Sequence, residues 1–205
     1  MKILTVRPGS IDSRPIAEAV DALRKGEIIV YPTDTLYALG CNALDNKAVE
    51  RLCRIKGINP ERNPLSVVCD GLSQASTVAR IDNKAYQLLR RCLPGPFTFI
   101  LPSSPTLPKV FKGRRQVGIR IPDNTIALRL AEELGNPLMS ASVTLTDEDI
   151  EDGALNAGIL ADRYSGTADI TLAIDGGDGG IVPSTVVDLS DSSDPVTVRQ
   201  GLGQI

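Results

Sequence analysis

Residues 28–41, IIVYPTDTLYALGC, constrain the fold more than any other stretch of this 205-residue chain. Ile28, Ile29, Val30 and Tyr31 form an apolar, β-branched and aromatic run that suits a buried strand. Pro32 has no N–H to offer a ladder, so the strand ends there. Three short oxygen-bearing side chains follow, Thr33, Asp34 and Thr35, and then a second apolar run to Gly40. A strand, a polar turn and an apolar return present groups at the carboxyl edge of a sheet, where α/β proteins hold their ligands. The same three residues can also serve only their own turn, through side-chain to backbone bonds. The stretch by itself leaves both readings open.

Length and composition narrow the class. A chain of 205 residues fits one domain, 1–205, with a substantial core, and its 42% hydrophobic share is that of a soluble globular protein. No apolar run reaches bilayer-spanning length, and the opening MKILTVRPGS is too short and polar for a signal peptide, so a cytoplasmic protein with no membrane partner is expected. The four cysteines, Cys41, Cys53, Cys69 and Cys92, lie far apart in apolar segments without a CxxC pair. They read as small buried hydrophobes of a reducing compartment rather than a zinc or redox site.

There is no histidine. Ser-His-Asp and Cys-His nucleophilic catalysis and histidine metal sites are therefore excluded, and no protein metal site is expected. Chemistry must rest on positioning, cationic charge or oxygen-ligated magnesium. The net charge is −3, but charge is unevenly placed: Lys109, Lys112, Arg114 and Arg115 form a basic run, and DEDIED at 147–152 is acidic. Solvated faces explain both; a basic groove for a nucleotide or RNA is the alternative for the first.

Along the chain, short apolar runs alternate with helical stripes. A strand at 3–6 precedes a helix started by Asp12 or Ser13 with Pro15 in its first turn and Ile16, Val20 and Leu23 on one face. Asp45 caps a helix that turns Ala48, Val49, Leu52 and Ile55 inward and ends at Lys56 and Gly57, where a cation suits the helix dipole. A strand at 65–69, helices at 73–79 and 83–93, and strands at 97–101 and 117–121 follow. Arg120 lies inside the last of these, so it either faces water at a sheet edge or needs a partner or anionic ligand. Asn124 caps a helix carrying Ile126, Leu130 and Leu134, closed by Gly135 and Pro137. A strand at 138–142, the acidic loop, a weak helix at 154–164 and strands at 170–174, 186–189 and 196–199 complete the chain. DGGDGG at 175–180 reads as a mobile turn, with too few donors for a P-loop. The sum is an α/β domain of about seven to ten strands and five helices on a mixed sheet. Hydroxyls and isolated cations gather at strand ends, a set suited to phosphates and an amino acid.

Eight segments occur together in order: PTDTLYALGC at 32–41, IKG at 55–57, NPL at 63–65, PGPFT at 94–98, GIRIP at 118–122, SAS at 140–142, PSTVVD at 183–188 and VRQG at 198–201. In order and spacing they resemble the YrdC-like family over nearly the whole chain. The resemblance implies a twisted open mixed sheet, flanked by helices, around a positively charged cavity. It implies an L-threonylcarbamoyladenylate synthase-like nucleotidyltransferase that makes threonylcarbamoyl-AMP from threonine, bicarbonate and ATP, with Mg2+ on the phosphates, for tRNA modification. Family members are also described as double-stranded RNA binders, so a non-catalytic protein that binds duplex RNA, tRNA or a ribonucleoprotein is the alternative, with Lys109, Lys112, Arg114 and Arg115 as its contacts.

By position, Thr33, Arg120 and Ser184 would contact threonine. Lys56, Asn63, Ser140, Ser142 and Arg199 would hold the nucleotide, with Lys56 and Ser140 as catalytic positions. The K-x-R and S-x-N patterns of the family's synthases read here as Lys56-Gly57-Ile58 and Ser140-Ala141-Ser142, and Val68 stands where synthases carry a histidine. With Ala38 in YALGC, these features are similar to the YciO branch rather than the YrdC synthase branch.

Overall fold

The computed structural model describes residues 1–6, 13–59, 65–105 and 115–205. Its elements run β1 (Lys2–Thr5), α1 (Arg14–Arg24), β2 (Ile28–Tyr31), β3 (Ala38–Asn42), α2 (Asn46–Ile55), β4 (Ser66–Val68), α3 (Leu72–Val78), α4 (Asn83–Cys92) and β5 (Phe97–Pro102). Then come β6 (Gln116–Arg120), α5 (Thr125–Leu134), β7 (Leu138–Ser142), α6 (Asp147–Asp152), α7 (Ala157–Arg163), β8 (Ile170–Asp175), β9 (Thr185–Asp188) and β10 (Val196–Arg199). The strands form one ten-stranded mixed sheet in the order β1-β8-β2-β3-β7-β4-β6-β5-β9-β10. Among the described residues, no helix is long and apolar enough to cross a membrane.

The helix boundaries follow capping chemistry. Asp45 accepts from the amides of Lys47 and Ala48 at 2.9 and 3.2 Å, and Asn124 does the same for Ile126 and Ala127 at 3.0 and 3.1 Å. Ser13 precedes α1 without a side-chain cap, and Pro15 sits in the first turn instead.

Two expectations fail here. The acidic run is not a loop but α6, because Thr146 and Asp149 form a reciprocal capping box and three carboxylates sit in its first turn. With α7 beyond it, the described residues hold seven helices rather than five. The DGGDGG segment is not a free turn either. Gly180 N–H donates to Thr35 O at 2.8 Å, Gly179 N–H to Leu155 O at 2.7 Å, and the Tyr37 hydroxyl to Gly177 O at 2.6 Å. At Gly180 a methyl group would meet Thr35 O at 2.9 Å, so there the glycine lets backbone approach backbone, and the bonds to Thr35 and Tyr37 hold the segment on the 33–37 turn.

Successive strand side chains alternate between two cores. One face carries Ile28, Val30, Leu39, Cys41, Val67, Phe99, Ile119 and Met139 against Val49 and Leu52 of α2, Leu89 of α4 and Leu160 of α7. The other carries Ile29, Tyr31, Ala38, Val68, Leu138 and Leu172 against Ile16, Val20 and Leu23 of α1 and Ala127 and Leu130 of α5. Register then decides what joins the second face. Val68 pairs with Leu138 on one side and Arg120 on the other, and Ser66 pairs with Ser140 and Gly118. Arg120 and Ser140 therefore share the face covered by α1 and α5, in the middle of the sheet. The water-facing edge position for Arg120 is ruled out: β6 lies between β4 and β5, and Arg120 is only 4% exposed.

Candidate active site

A cavity of about 310 Å3 opens on the face that carries Ser66, Arg120 and Ser140. Its lining combines the polar side chains of Lys56, Arg120, Arg199, Ser66, Thr98, Ser140, Ser142 and Ser184 with the apolar ones of Ile58, Leu65, Ile100, Met139 and Val186. Three cations and no carboxylate side chain line it, among the described residues. Gly118 keeps the floor open, since a methyl group there would press on Ser66 Oγ and come within 3.2 Å of Thr98 Cγ2.

Arg120 is the buried charge. Its Nη2 donates to Asp34 Oδ1 at 2.9 Å and to Thr35 Oγ1 at 3.0 Å. Asp34 Oδ2 accepts from the Asp123 amide at 3.1 Å, so one carboxylate ties the 33–36 turn to both the end of β6 and the approach to α5. A guanidinium has five N–H donors, and Arg120 Nε is buried with no partner among the described residues. A buried donor left unpaired costs free energy, so Arg120 is held in this position at a cost to stability.

Beside it, the Thr98 and Ser184 hydroxyls lie 2.9 Å apart. Arg199, on the last strand, reaches the Ser184 carbonyl at 2.8 Å. Partial burial and the nearby Arg120 charge push the Arg199 guanidinium below its ordinary pKa, the signature of two cations facing one space. Lys56 caps α2 and donates to Thr144 Oγ1 at 2.7 Å, and burial lowers its pKa. Ser140 Oγ accepts from the Tyr31 hydroxyl at 2.7 Å.

The structure thus gathers Lys56, Arg120, Ser140, Ser142, Ser184 and Arg199 around one cavity. Thr33 is not in its lining: the Thr33 hydroxyl donates to Leu36 O at 2.6 Å and accepts from the Thr35 amide at 3.2 Å. The 33–35 turn divides its labour, with Thr33 serving the turn and Asp34 and Thr35 serving Arg120. Asn63, Lys109, Lys112 and Arg114 lie outside the described residues, and Arg115 is exposed. Asp34, Ser66 and Thr144 were not singled out from sequence as site residues. A short polar side chain signals a turn as readily as a site, and only cross-strand register shows which groups meet. No cluster of three His, Cys, Asp or Glu side chains able to hold a metal ion occurs among the described residues.

A cationic, hydroxyl-lined cavity on a ten-stranded mixed sheet of this order defines the class: a mixed α/β protein built around a positively charged pocket. A family model described as "Telomere recombination", covering the Sua5, YciO and YrdC proteins, matches residues 21–201. The chain belongs to this family. It is 39% identical to YciO of Escherichia coli K12, over 98% of this chain and 95% of that one, and the crystal structure of E. coli YciO superposes with a TM-score of 0.88 over 100% and 98% of the two chains, at 37% identity. It is 36% identical to the threonylcarbamoyl-AMP synthase of Pyrococcus abyssi, across 97% of this chain but 57% of that longer protein. The P. abyssi Sua5 structure complexed with L-threonine gives a TM-score of 0.83, at 34% identity over 98% of this chain and 58% of that one. The higher identity to YciO agrees with the branch expected from the YALGC segment.

Proposed function

We propose that the chain binds ATP and L-threonine in this cavity and, with bicarbonate, forms threonylcarbamoyl-AMP and pyrophosphate, serving tRNA modification. The observation that carries this is Arg120, buried in the wall of a cavity that also holds Lys56 and Arg199 and, among the described residues, no carboxylate side chain. With Nη2 spent on Asp34 and Thr35, the remaining guanidinium donors and its fixed positive charge suit the carboxylate of an amino acid. Threonine bound to the P. abyssi relative supports threonine as the amino acid.

In this reading Arg120 takes the threonine carboxylate beside Ser184 and Thr98. Lys56, Arg199, Ser140 and Ser142 face the phosphates, and Asn63 completes the nucleotide set. The threonine amine combines with bicarbonate, losing water, to give a carbamate. A carbamate oxygen attacks the α-phosphorus of ATP, and the bond to pyrophosphate breaks. The residues need transfer no proton through a histidine; alignment and neutralisation of phosphate charge supply the catalysis. Magnesium enters with the triphosphate as part of the substrate: among the described residues the lining offers hydroxyls and cations and no carboxylate side chain to hold a resident ion.

The test is incorporation of radiolabelled bicarbonate that depends on both threonine and ATP, with pyrophosphate release as a second readout. Turnover no higher than that of Lys56→Ala, across a panel of amino acids, would overturn the proposal.

A further inference from the structure

Ser140 lines the cavity from β7, while Tyr31 stands two strands away on β2, with β3 between them. The two hydroxyls meet because of Gly40. In the ladder Gly40 pairs with Ser140 on one side and Ile29 on the other, so the Tyr31 ring must cross the Gly40 position to reach Ser140. A methyl at Gly40 would lie 2.6 Å from the ring's Cε1. The absent side chain is the channel through which the tyrosine passes.

The bond has a direction. Tyr31 is completely buried, and its O–H donates to Ser140 Oγ at 2.7 Å. A phenol is a far stronger acid than an alkyl alcohol, so donation from tyrosine to serine is the favoured order. Burial pushes the phenol pKa up to about 12, which keeps its proton in place at neutral pH. With Ser140 Oγ accepting from the tyrosine, the serine keeps its own hydrogen to donate, and Ser140 lines the cavity. Hydrogen bonds in such a chain polarise one another, so the tyrosine makes the serine a better donor.

We propose that Tyr31 is a positioning residue: through Gly40 and Ser140 it presents the Ser140 hydroxyl as a directed donor to an anionic oxygen of the bound nucleotide. This rests on the nucleotide reading of the cavity. The tyrosine touches no ligand, and its effect passes wholly through Ser140.

The test is a double-mutant cycle on ATP affinity, measured by calorimetry, with Tyr31→Phe, Ser140→Ala and both together. Tyr31→Phe keeps the ring and should weaken ATP about three- to tenfold, the worth of one hydrogen bond. In the Ser140→Ala background the same change should have no further effect. 3-Fluorotyrosine in place of Tyr31 preserves shape while strengthening the donor, and should tighten ATP binding in a chain that keeps Ser140 but not in Ser140→Ala. A purely structural tyrosine would move neither the coupling nor the fluorotyrosine response. An equal loss on Tyr31→Phe in both backgrounds, or fluorotyrosine affinity unchanged with the fold intact, overturns the proposal while leaving nucleotide binding in place. A wild-type chain that binds no ATP removes the nucleotide reading itself, and the proposal with it.

Discussion

Arg120 Nη2 stands 2.9 Å from Asp34 Oδ1, with the two side chains only 5% and 7% exposed. A pair this deep is retained at a desolvation cost that packed hydrophobic residues would avoid. Its function is placement: Asp34 and Thr35 engage Nη2 and hold Arg120 in the sheet, in the wall of the cavity.

Removing one partner strands a charge. Asp34→Ala should therefore lower stability by about 3–5 kcal/mol. Asp34→Leu combined with Arg120→Met should recover much of that loss while abolishing threonine binding. Urea unfolding midpoints for the wild type and the two variants, with calorimetry for threonine, check the pattern. A double variant as unstable as Asp34→Ala would show that the cost lies in lost packing rather than in the stranded charge.

Lys56 carries opposite pH signs for binding and folding. Burial lowers its pKa from 10.5, so the ammonium that faces phosphate is lost earlier on raising pH than in an ordinary lysine. ATP affinity should fall as pH rises through that lowered value. Folding moves the other way: burial penalises the charged form, and the penalty is relieved as pH climbs from the lowered folded value to the unfolded 10.5. Lys56→Met should flatten both trends, as read by calorimetry and denaturant midpoints from neutrality upward.

Gly40→Ala tests the passage beneath β3. The new methyl meets the buried Tyr31 ring at 2.6 Å, where the ring has no free space to yield into. Overpacking of this kind costs about 1–3 kcal/mol. A thermal midpoint shift of the same sign and size as in other core overpacking is expected, and Tyr31→Phe should not relieve it, because the contact is with the ring and not the hydroxyl.

Asp149 governs part of the acid limb. Arg163 grips it at 2.7 and 2.9 Å, and with the Thr146 bonds this holds its carboxyl below the ordinary 3.8. The stability it contributes is present above the unfolded value and is lost as pH falls through the lowered folded value. Asp149→Asn should reduce stability at neutral pH and shrink the gap from wild type on acidification. Midpoints that run parallel for the two proteins down to strongly acid pH would exclude this role.

Much of the fold is legible residue by residue. β2 ends before Pro32, α2 and α5 begin at Asp45 and Asn124, and β7 spans the expected five residues. These are local effects: a missing N–H, a carboxylate or amide reaching its own helix, an alternation of two. The helix at 147–152 escaped because six residues with a single apolar member carry no stripe, and its stability comes from a capping box and the Asp149–Arg163 pair across to α7. The glycine segment 175–180 escaped because its bonds to Thr35, Tyr37 and Leu155 are all remote in sequence.

The candidate site divides along the same line. The sequence by itself determined the inventory: no histidine, isolated cations at strand ends, hydroxyls in the turns, and eight ordered segments that identify the family. It also supplied most of the polar lining, Lys56, Arg120, Ser140, Ser142, Ser184 and Arg199. Tertiary structure alone decided how that inventory is wired. It turned Thr33 into its own loop, gave Arg120 to Asp34 and Thr35, and drew Tyr31 across Gly40 to Ser140. The reason is register. Whether two polar groups meet depends on which residues of non-adjacent strands stand opposite one another, and a one-residue slip would send each to the other face of the sheet.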